Sequence, residues 1–410
     1  MRILYLTHFF DPEPNGKSAD FVRALQARGH EVEVVTGFPN YPAGKLYPGY
    51  RVRAHQKEMM GDVEVHRVAV YPSHDRSSLR RMLNYLSFTT SATVYGLFKA
   101  RRFDVIYAYS PPTVGLAAAV IGFFRRRPFV QDVQDLWPES VTQSGMPGTG
   151  RMGTLLGAMC RFIYRRSARV VAQSRGMAAK IAERGIGADR IDVIFNWADE
   201  DSAKPLGTCD LSGFGLEGRF NIIYGGNLGA MQGLETLIRA AHAASSKVPH
   251  LQLLLIGGGT EAAALKELVA ELGATNVRIE PGVPRTQIGD VFAAADVLTL
   301  HLKNLPLFEF TIPQKTQFYM AAGKPILVAV PGEAAAMVTD AGAGLAAQAE
   351  DVEAVADAMV RMAEMPREEL AAMGLRGQVA YRQLYSLDAG IDATIATLEA
   401  AIAGRRPRRG

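Results

Sequence analysis

The chain has 410 residues, 48% apolar and 21% charged, which fits two globular domains of roughly 150–200 residues each and excludes a disordered chain. Two cysteines, Cys160 and Cys209, are too few for a disulfide framework, the eight histidines do not cluster into a metal site, and the longest apolar run, Val114–Phe124, is shorter than the roughly 18 residues a membrane-spanning helix needs. A net charge of +4 conceals an uneven distribution: Arg80-Arg81, Lys99–Arg102, Arg125–Arg127, Arg161–Arg169 and Arg405–Arg409 are basic, whereas the second half holds acidic stretches such as Glu333–Glu369. The expected partner is therefore anionic, either a phosphorylated substrate or a membrane surface. Nucleic acid is not expected, because no aromatic-interleaved basic motif occurs.

Met1-Arg2 leads directly into the strand-like run Ile3–Thr7, so no secretory leader is expected and the reading is a cytoplasmic protein. The loop Asp11–Gly16 follows, then a helix over Ser18–Arg28, a Gly29-His30 stop and a strand over Glu31–Thr36. This is one unit of a parallel sheet with right-handed crossovers. Further strands are expected at Asp62–Val70, Asp104–Tyr109, Phe129–Val133, Ala168–Ala172 and Ile191–Ile194. Ser78–Arg101 reads as a long helix combining Leu79, Met82, Leu83, Leu86, Val94, Leu97 and Phe98 with flanking cations. Such a helix, with Arg125–Arg127, suits a peripheral position on an anionic membrane, or simply packs its apolar face on the sheet.

The polar segment Ala203–Leu216 reads as a linker, after which the alternation restarts. Strands are expected at Asn221–Tyr224, Leu251–Ile256, Val277–Glu280, Asp296–Leu300, Pro325–Val330 and Leu345–Ala347, with helices between them and two more, Glu368–Leu384 and Asp388–Ala403, at the end. The fold class is α/β: two Rossmann-like doubly wound domains, 1–202 and 203–385, facing across a cleft, followed by a carboxy-terminal segment, 386–410, that ends in a basic tail. Ligands of such sheets bind beyond the carboxyl ends of the strands.

Candidate site residues fall at those ends. Gly225-Gly226-Asn227 follows one strand and Gly257-Gly258-Gly259 the next; glycines let backbone approach a ligand closely, and the same residues also serve ordinary packing. Thr311, Ile312 and Pro313 run into a short helix that carries Lys315 and Thr316 in its first turn, where backbone N–H groups and a full positive charge can together hold a diphosphate. In the first half, Asn15 and Gly16 precede a helix start. Gln134, Asp135, Trp137 and Glu139 end a strand: Asp135 is a candidate base or sugar-hydroxyl ligand, or else a helix cap, and Trp137 a sugar-stacking face, or else core.

Taken together, Pro12–Gly16 with Arg28-Gly29-His30-Glu31-Val32, Gln134–Glu139, Gly226-Asn227-Leu228 with Gln232-Gly233-Leu234, and Pro313-x-Lys315 leading to Tyr319–Pro325 resemble the family-4 glycosyltransferases, retaining enzymes of the GT-B fold. The likeness is to the fucosamine-transferase and colanic-acid branch of cell-envelope and O-antigen polysaccharide synthesis. It implies a nucleotide-sugar donor, usually UDP-linked, in the second domain. It implies no required metal or other cofactor, and a glycan acceptor, such as a polyprenyl-diphosphate-linked saccharide, in the first domain. By this resemblance the segment 386–410 packs back on the first domain and Gly16 lies under the donor phosphates, with Asn227, Gln232 and Lys315 around the diphosphate; Asp135 with Gln134 is expected to orient the acceptor.

The chain departs from the pattern where Asn227 and Gln232 replace an Arg and a Lys, and where Gln134 replaces a His. Phe318 stands at the second position of the family's Glu-x7-Glu pair, and Glu309 lies one place from the first. The expected activity is transfer of an N-acetylated hexose. The alternatives are a UDP-N-acetylhexosamine epimerase on the same fold and a non-catalytic two-domain ligand-binding protein.

Overall fold

In the computed structural model, which describes residues 1–73, 78–140 and 151–404, the chain divides into two units, Met1–Phe195 with Gly390–Gly410 and Asn196–Ala389. The basic tail anticipated at Arg405–Arg409 lies outside the described residues.

The first unit is built on an eight-stranded sheet in the order β3-β4-β2-β1-β5-β6-β7-β8. Its strands are β1 (Arg2–Thr7), β2 (Glu31–Gly37), β3 (His55–Met60), β4 (Val63–Val68), β5 (Val105–Tyr109), β6 (Phe129–Val133), β7 (Arg169–Ala172) and β8 (Ile191–Val193). All neighbours are parallel except β3, which pairs antiparallel with β4. The central strands are mostly apolar, as a sheet covered on both faces requires, and in β5 every residue is buried. The sequence pattern did not reveal β3, because His55-Gln56-Lys57-Glu58 is polar; a strand at the sheet edge needs no apolar face.

The second unit holds a six-stranded, fully parallel sheet in the order β11-β10-β9-β12-β13-β14. Its strands are β9 (Phe220–Gly225), β10 (Leu251–Ile256), β11 (Val277–Glu280), β12 (Val297–His301), β13 (Ile326–Ala329) and β14 (Gly344–Ala346). Read in chain order this is 3-2-1-4-5-6, the doubly wound arrangement, and its topological switch point falls between β9 and β12. One face is covered by the helices Leu234–Ala244 and Val352–Glu364, whose Leu237, Ile238, Val355 and Met359 close the core. The helix expected over Glu368–Leu384 ends at Ala380 and gives way to a π-helical turn, Tyr381–Tyr385. There the Tyr381 hydroxyl donates to Glu200 at 2.9 Å and accepts from the Ala198 N–H at 3.2 Å.

The segment read as a linker is tied down. Backbone N–H groups of Leu206, Gly207, Thr208 and Cys209 converge on the Asp290 carboxylate at 2.6, 2.7, 2.8 and 2.9 Å. Those hydrogen bonds hold the Asp290 carboxyl down at about 2. Its folded value lies below the ordinary aspartate value of about 3.9, so its contribution to stability is present above that value and is lost as pH falls toward 2. The destabilisation caused by Asp290→Ala is therefore expected to be full at neutral pH and to shrink steadily below about pH 4, as urea titrations across that range would show.

Candidate active site

In the second unit, the ends of β9 and β10 are laced together. The Gly226 N–H donates to the Ile256 carbonyl and the Leu228 N–H to the Gly258 carbonyl, both at 2.9 Å. A Cβ at Gly226, whose φ is +135°, would lie 2.5 Å from Lys315 Cε and 2.8 Å from its Nζ, so the missing side chain is the space that the lysine occupies. At Gly258 an added Cβ would meet nothing within 4 Å, so the fold itself does not demand glycine there.

The helix Gln314–Ala322 delivers the cation. Lys315 and Tyr319, four residues apart, lie on one helical face. The Tyr319 hydroxyl accepts from the Gly225 N–H at 3.1 Å, pinning the helix to the end of β9. One turn earlier, the Lys315 ammonium donates to the Tyr224 hydroxyl and sits 3.8 Å from the centroid of that ring. Burial keeps the Tyr224 phenol protonated, and its hydroxyl donates to the Asn227 carbonyl at 2.7 Å. Loss of water pulls the Lys315 pKa down to about 7. Among the described residues no carboxylate pairs with this lysine, so it is a cation held ready for an anion.

Asn227 and Gln232 come together beside it. The Asn227 amide donates to Gln232 Oε1 at 3.2 Å, and the Gly229 N–H donates to the same oxygen at 3.1 Å. Neither side chain brings a charge, so Lys315 is the full cation of this cluster. His301, at the end of β12, was not anticipated: its Nε2 accepts from the Glu350 N–H at 3.1 Å, which leaves Nδ1–H to donate to the Gln232 carbonyl at 2.7 Å. A buried neutral histidine thus fixes the Gln232 loop, and its position at a strand end was the available sign.

Other candidates are placed differently. Thr311 and Pro313 are partly exposed, but Ile312 is buried and turned to the core. Thr316 is corrected as a side-chain contact: its hydroxyl is enclosed and its N–H is spent on the Pro313 carbonyl at 2.9 Å. Phe318 packs edge-on against Phe292 with centroids 5.6 Å apart, whereas Glu309 is exposed.

In the first unit, Asn15 and Gly16 meet Gln134 through a pair the sequence did not single out. Lys17, one residue after the exposed Gly16, is fully buried and ion-paired with Asp132 of β6, and donates to the Tyr107 hydroxyl at 2.6 Å. Gln134 donates to the other Asp132 oxygen at 2.7 Å. Asn15 shapes the loop from inside, donating to the Phe9 carbonyl at 2.7 Å and accepting from the Lys17 N–H at 3.2 Å. A lysine entering a helix ordinarily reads as solvated, which hid this one.

Asp135 is exposed at the strand end, yet crowding by protein raises its carboxyl above the ordinary aspartate value. Trp137 is corrected as a sugar platform: it is 7% exposed and meets Tyr85 edge-on at 5.8 Å, because an indole beside the sheet is worth more in the core. Glu139, half-exposed, takes hydrogen bonds on both oxygens from Arg184 at 2.7 Å.

Among the described residues no group of three or more His, Cys, Asp or Glu could hold a metal ion, and no helix is long and apolar enough to cross a membrane.

The two Rossmann-like sheets, the second with a cationic Gly-rich strand edge, have the GT-B architecture. Residues 18–197 match the glycosyl transferase 4-like domain and residues 219–365 match glycosyl transferases group 1, a pair of matches that supports a glycosyltransferase. It is 27% identical over 301 residues to the putative colanic acid biosynthesis glycosyl transferase WcaI of Escherichia coli, covering 68% of this chain and 72% of that one. To the probable glycosyltransferase WbjE of Pseudomonas aeruginosa it is 26% identical over 299 residues, covering 70% and 72%. The crystal structure of Anabaena Alr3699/HepE in complex with UDP and glucose has the same fold, with a TM-score of 0.67, 18% identity, and coverage of 98% of this chain and 100% of that one.

Proposed function

We propose that this glycosyltransferase moves an N-acetylated hexose from a UDP-sugar, with retention and without a metal ion, to a polyprenyl-diphosphate-linked glycan in polysaccharide assembly. The observation that carries the reading is the Lys315 ammonium, lodged in the space that Gly226 leaves open and held by Tyr224, with no carboxylate beside it. A diphosphate at this edge supplies the missing negative charge. The UDP seen in HepE and the polysaccharide role named for WcaI support the donor and the pathway class.

In the reaction the acceptor hydroxyl oxygen bonds to the anomeric carbon on the face that UDP leaves, as the bond from that carbon to the diphosphate oxygen breaks. The hydroxyl proton passes to the departing diphosphate. Lys315 and the first N–H groups of its helix, which no side chain caps, stabilise the charge that develops there. Asp135 and the Gln134 strand end are proposed to orient the acceptor, with Asn15 and Gly16 nearby on the Lys17 loop.

Thermal shift with UDP, GDP and ADP tests the donor assignment, because a ligand that binds only the folded chain raises Tm. UDP is expected to give the largest rise. Gly258→Ala is expected to leave the unliganded Tm unchanged, since its methyl meets nothing within 4 Å, and to reduce the UDP-induced rise. No nucleotide response, or an undiminished one in this variant, would remove the site from this edge.

A further inference from the structure

Three helices of the first unit, Ser78–Phe98, Pro112–Arg125 and Arg151–Arg166, lie side by side, with the middle one packed against both others. A right-handed crossover puts all three on the same face of the sheet, since each connects strands in the same direction across it. An outer helical layer of a soluble domain ordinarily shows water a mixture of both charges. This layer contains no Asp or Glu at all.

It shows apolar side chains instead. Along Ser78–Phe98, which is 21 residues and so about 31 Å long, Leu79, Leu83, Leu86, Val94 and Phe98 recur at helical spacing and are all exposed. Phe98 is 80% exposed, and Phe123 of the next helix 70%, beside the equally open Phe124. On the third helix Leu155 and Phe162 are exposed. Cations cluster where these helices end: Lys99 and Arg102 after the first, Arg126 after the second, Arg165 and Arg166 closing the third, while Arg101 is paired with Glu64 at 2.7 Å. Beside the aromatic pair opens a groove of about 660 Å³, lined by Arg126, Arg127, Arg165 and Arg166, with Asp189 as a carboxylate on its wall. Arg125 is not among the free cations, because its guanidinium caps the first helix through the Gly96 and Leu97 carbonyls at 3.1 Å.

From this we infer that the layer is a docking surface for an anionic phospholipid bilayer, with Leu79–Phe98 lying in the interface plane, Phe123 and Phe124 entering the acyl boundary and the arginine groove receiving lipid phosphate. Charge decides between occupants. A second copy of this face would set arginine against arginine, whereas an anionic headgroup layer complements it. The stripe lies on the membrane rather than through it, as its exposed apolar face is backed by a buried one carrying Phe88, Ala92 and Tyr95 against the sheet. The inference is independent of the donor site, which lies in the other unit.

Vesicle co-sedimentation of the whole protein tests it. Binding is expected to vesicles of phosphatidylcholine with phosphatidylglycerol, to be weak on phosphatidylcholine alone, and to fall as salt rises. Phe123→Ser combined with Phe124→Ser is expected to lower the partition coefficient by about tenfold or more, since each ring leaves water on binding. Arg165→Glu with Arg166→Glu should abolish the preference for the anionic vesicles. All four side chains are exposed, so an unchanged circular dichroism spectrum and Tm confirm folding. Failure to bind anionic vesicles, or equal binding by wild type and both double variants, overturns the inference. So does self-association in sedimentation velocity that the Phe variants abolish while vesicles go unbound. UDP-induced stabilisation should persist in every variant, which separates this result from the donor assignment.

Discussion

Replacing Lys315 with alanine is expected to lower sugar transfer by roughly two to three orders of magnitude, the range for loss of one positioned charge-stabilising donor, with no loss of thermal stability. The second half of this expectation is as informative as the first. The lysine is drawn from water without a carboxylate partner, and its pKa has fallen to about 7, so the unliganded fold bears a cost for charging it. The sign follows from linkage. Between about pH 7 and the ordinary lysine value near 10.4 the unfolded chain binds more protons than the folded one, so stability rises with pH across that window. Lys315→Met is accordingly expected to raise Tm below that window and to lose this advantage toward its upper end.

Binding of a diphosphate should restore the proton. UDP affinity is then flat below about pH 7 and falls by up to tenfold for each pH unit above it, with net proton uptake seen by calorimetry in buffers of different ionisation enthalpy. Both the slope and the uptake should vanish in Lys315→Ala. A wild-type affinity independent of pH in this range would show that another group grips the diphosphate. Lys315→Arg is not expected to rescue, because a planar guanidinium does not fit the space bounded by the Tyr224 ring and the Gly226 backbone.

The second large effect concerns the pair Lys17 and Asp132. Both side chains are essentially inaccessible, at 1% and 0% exposure, so removing one partner strands a charge in the core. Asp132→Ala is expected to cost about 3–5 kcal/mol, the usual range for breaking a buried pair. Lys17→Met combined with Asp132→Leu should recover most of that loss, since replacing both charges by apolar groups removes the desolvation cost along with the attraction. Urea unfolding of the single and double variants gives the coupling; additive losses would mean that the two groups do not act as a unit. Because Asp132 also receives the Gln134 amide, and Lys17 directly follows Asn15 and Gly16, the double variant reports separately on function. Restored stability with poor transfer would mean that the pair holds the loop in its working shape.

Much of the scaffold was legible because parallel sheets impose a strong signal. Runs such as Val105–Tyr109 and Leu251–Ile256 are almost wholly apolar, and glycines mark the end of the second. Lys315 was legible too, as a cation in the first turn of a helix that begins after Pro313. The edge strand His55–Met60 was not, since its polar residues lack any alternation toward a core. Trp137 and Glu139 share a short motif with Asp135, but spacing along a chain does not say which side chain turns inward: the indole went to Tyr85, the half-exposed glutamate pairs with Arg184, and the aspartate stayed at the surface.

By itself the sequence determined the alternation of strand and helix, the two successive sheets and the strand ends at which glycines and Lys315 would stand, since these follow from local periodicity and backbone freedom. Only the tertiary structure decided that Lys17 is buried against Asp132, that His301 fixes the Gln232 loop and that three neighbouring helices turn an acid-free apolar face to solvent. Each of these depends on which strands become neighbours, and burial, pairing and the resulting pKa shifts are properties of neighbours distant in the chain.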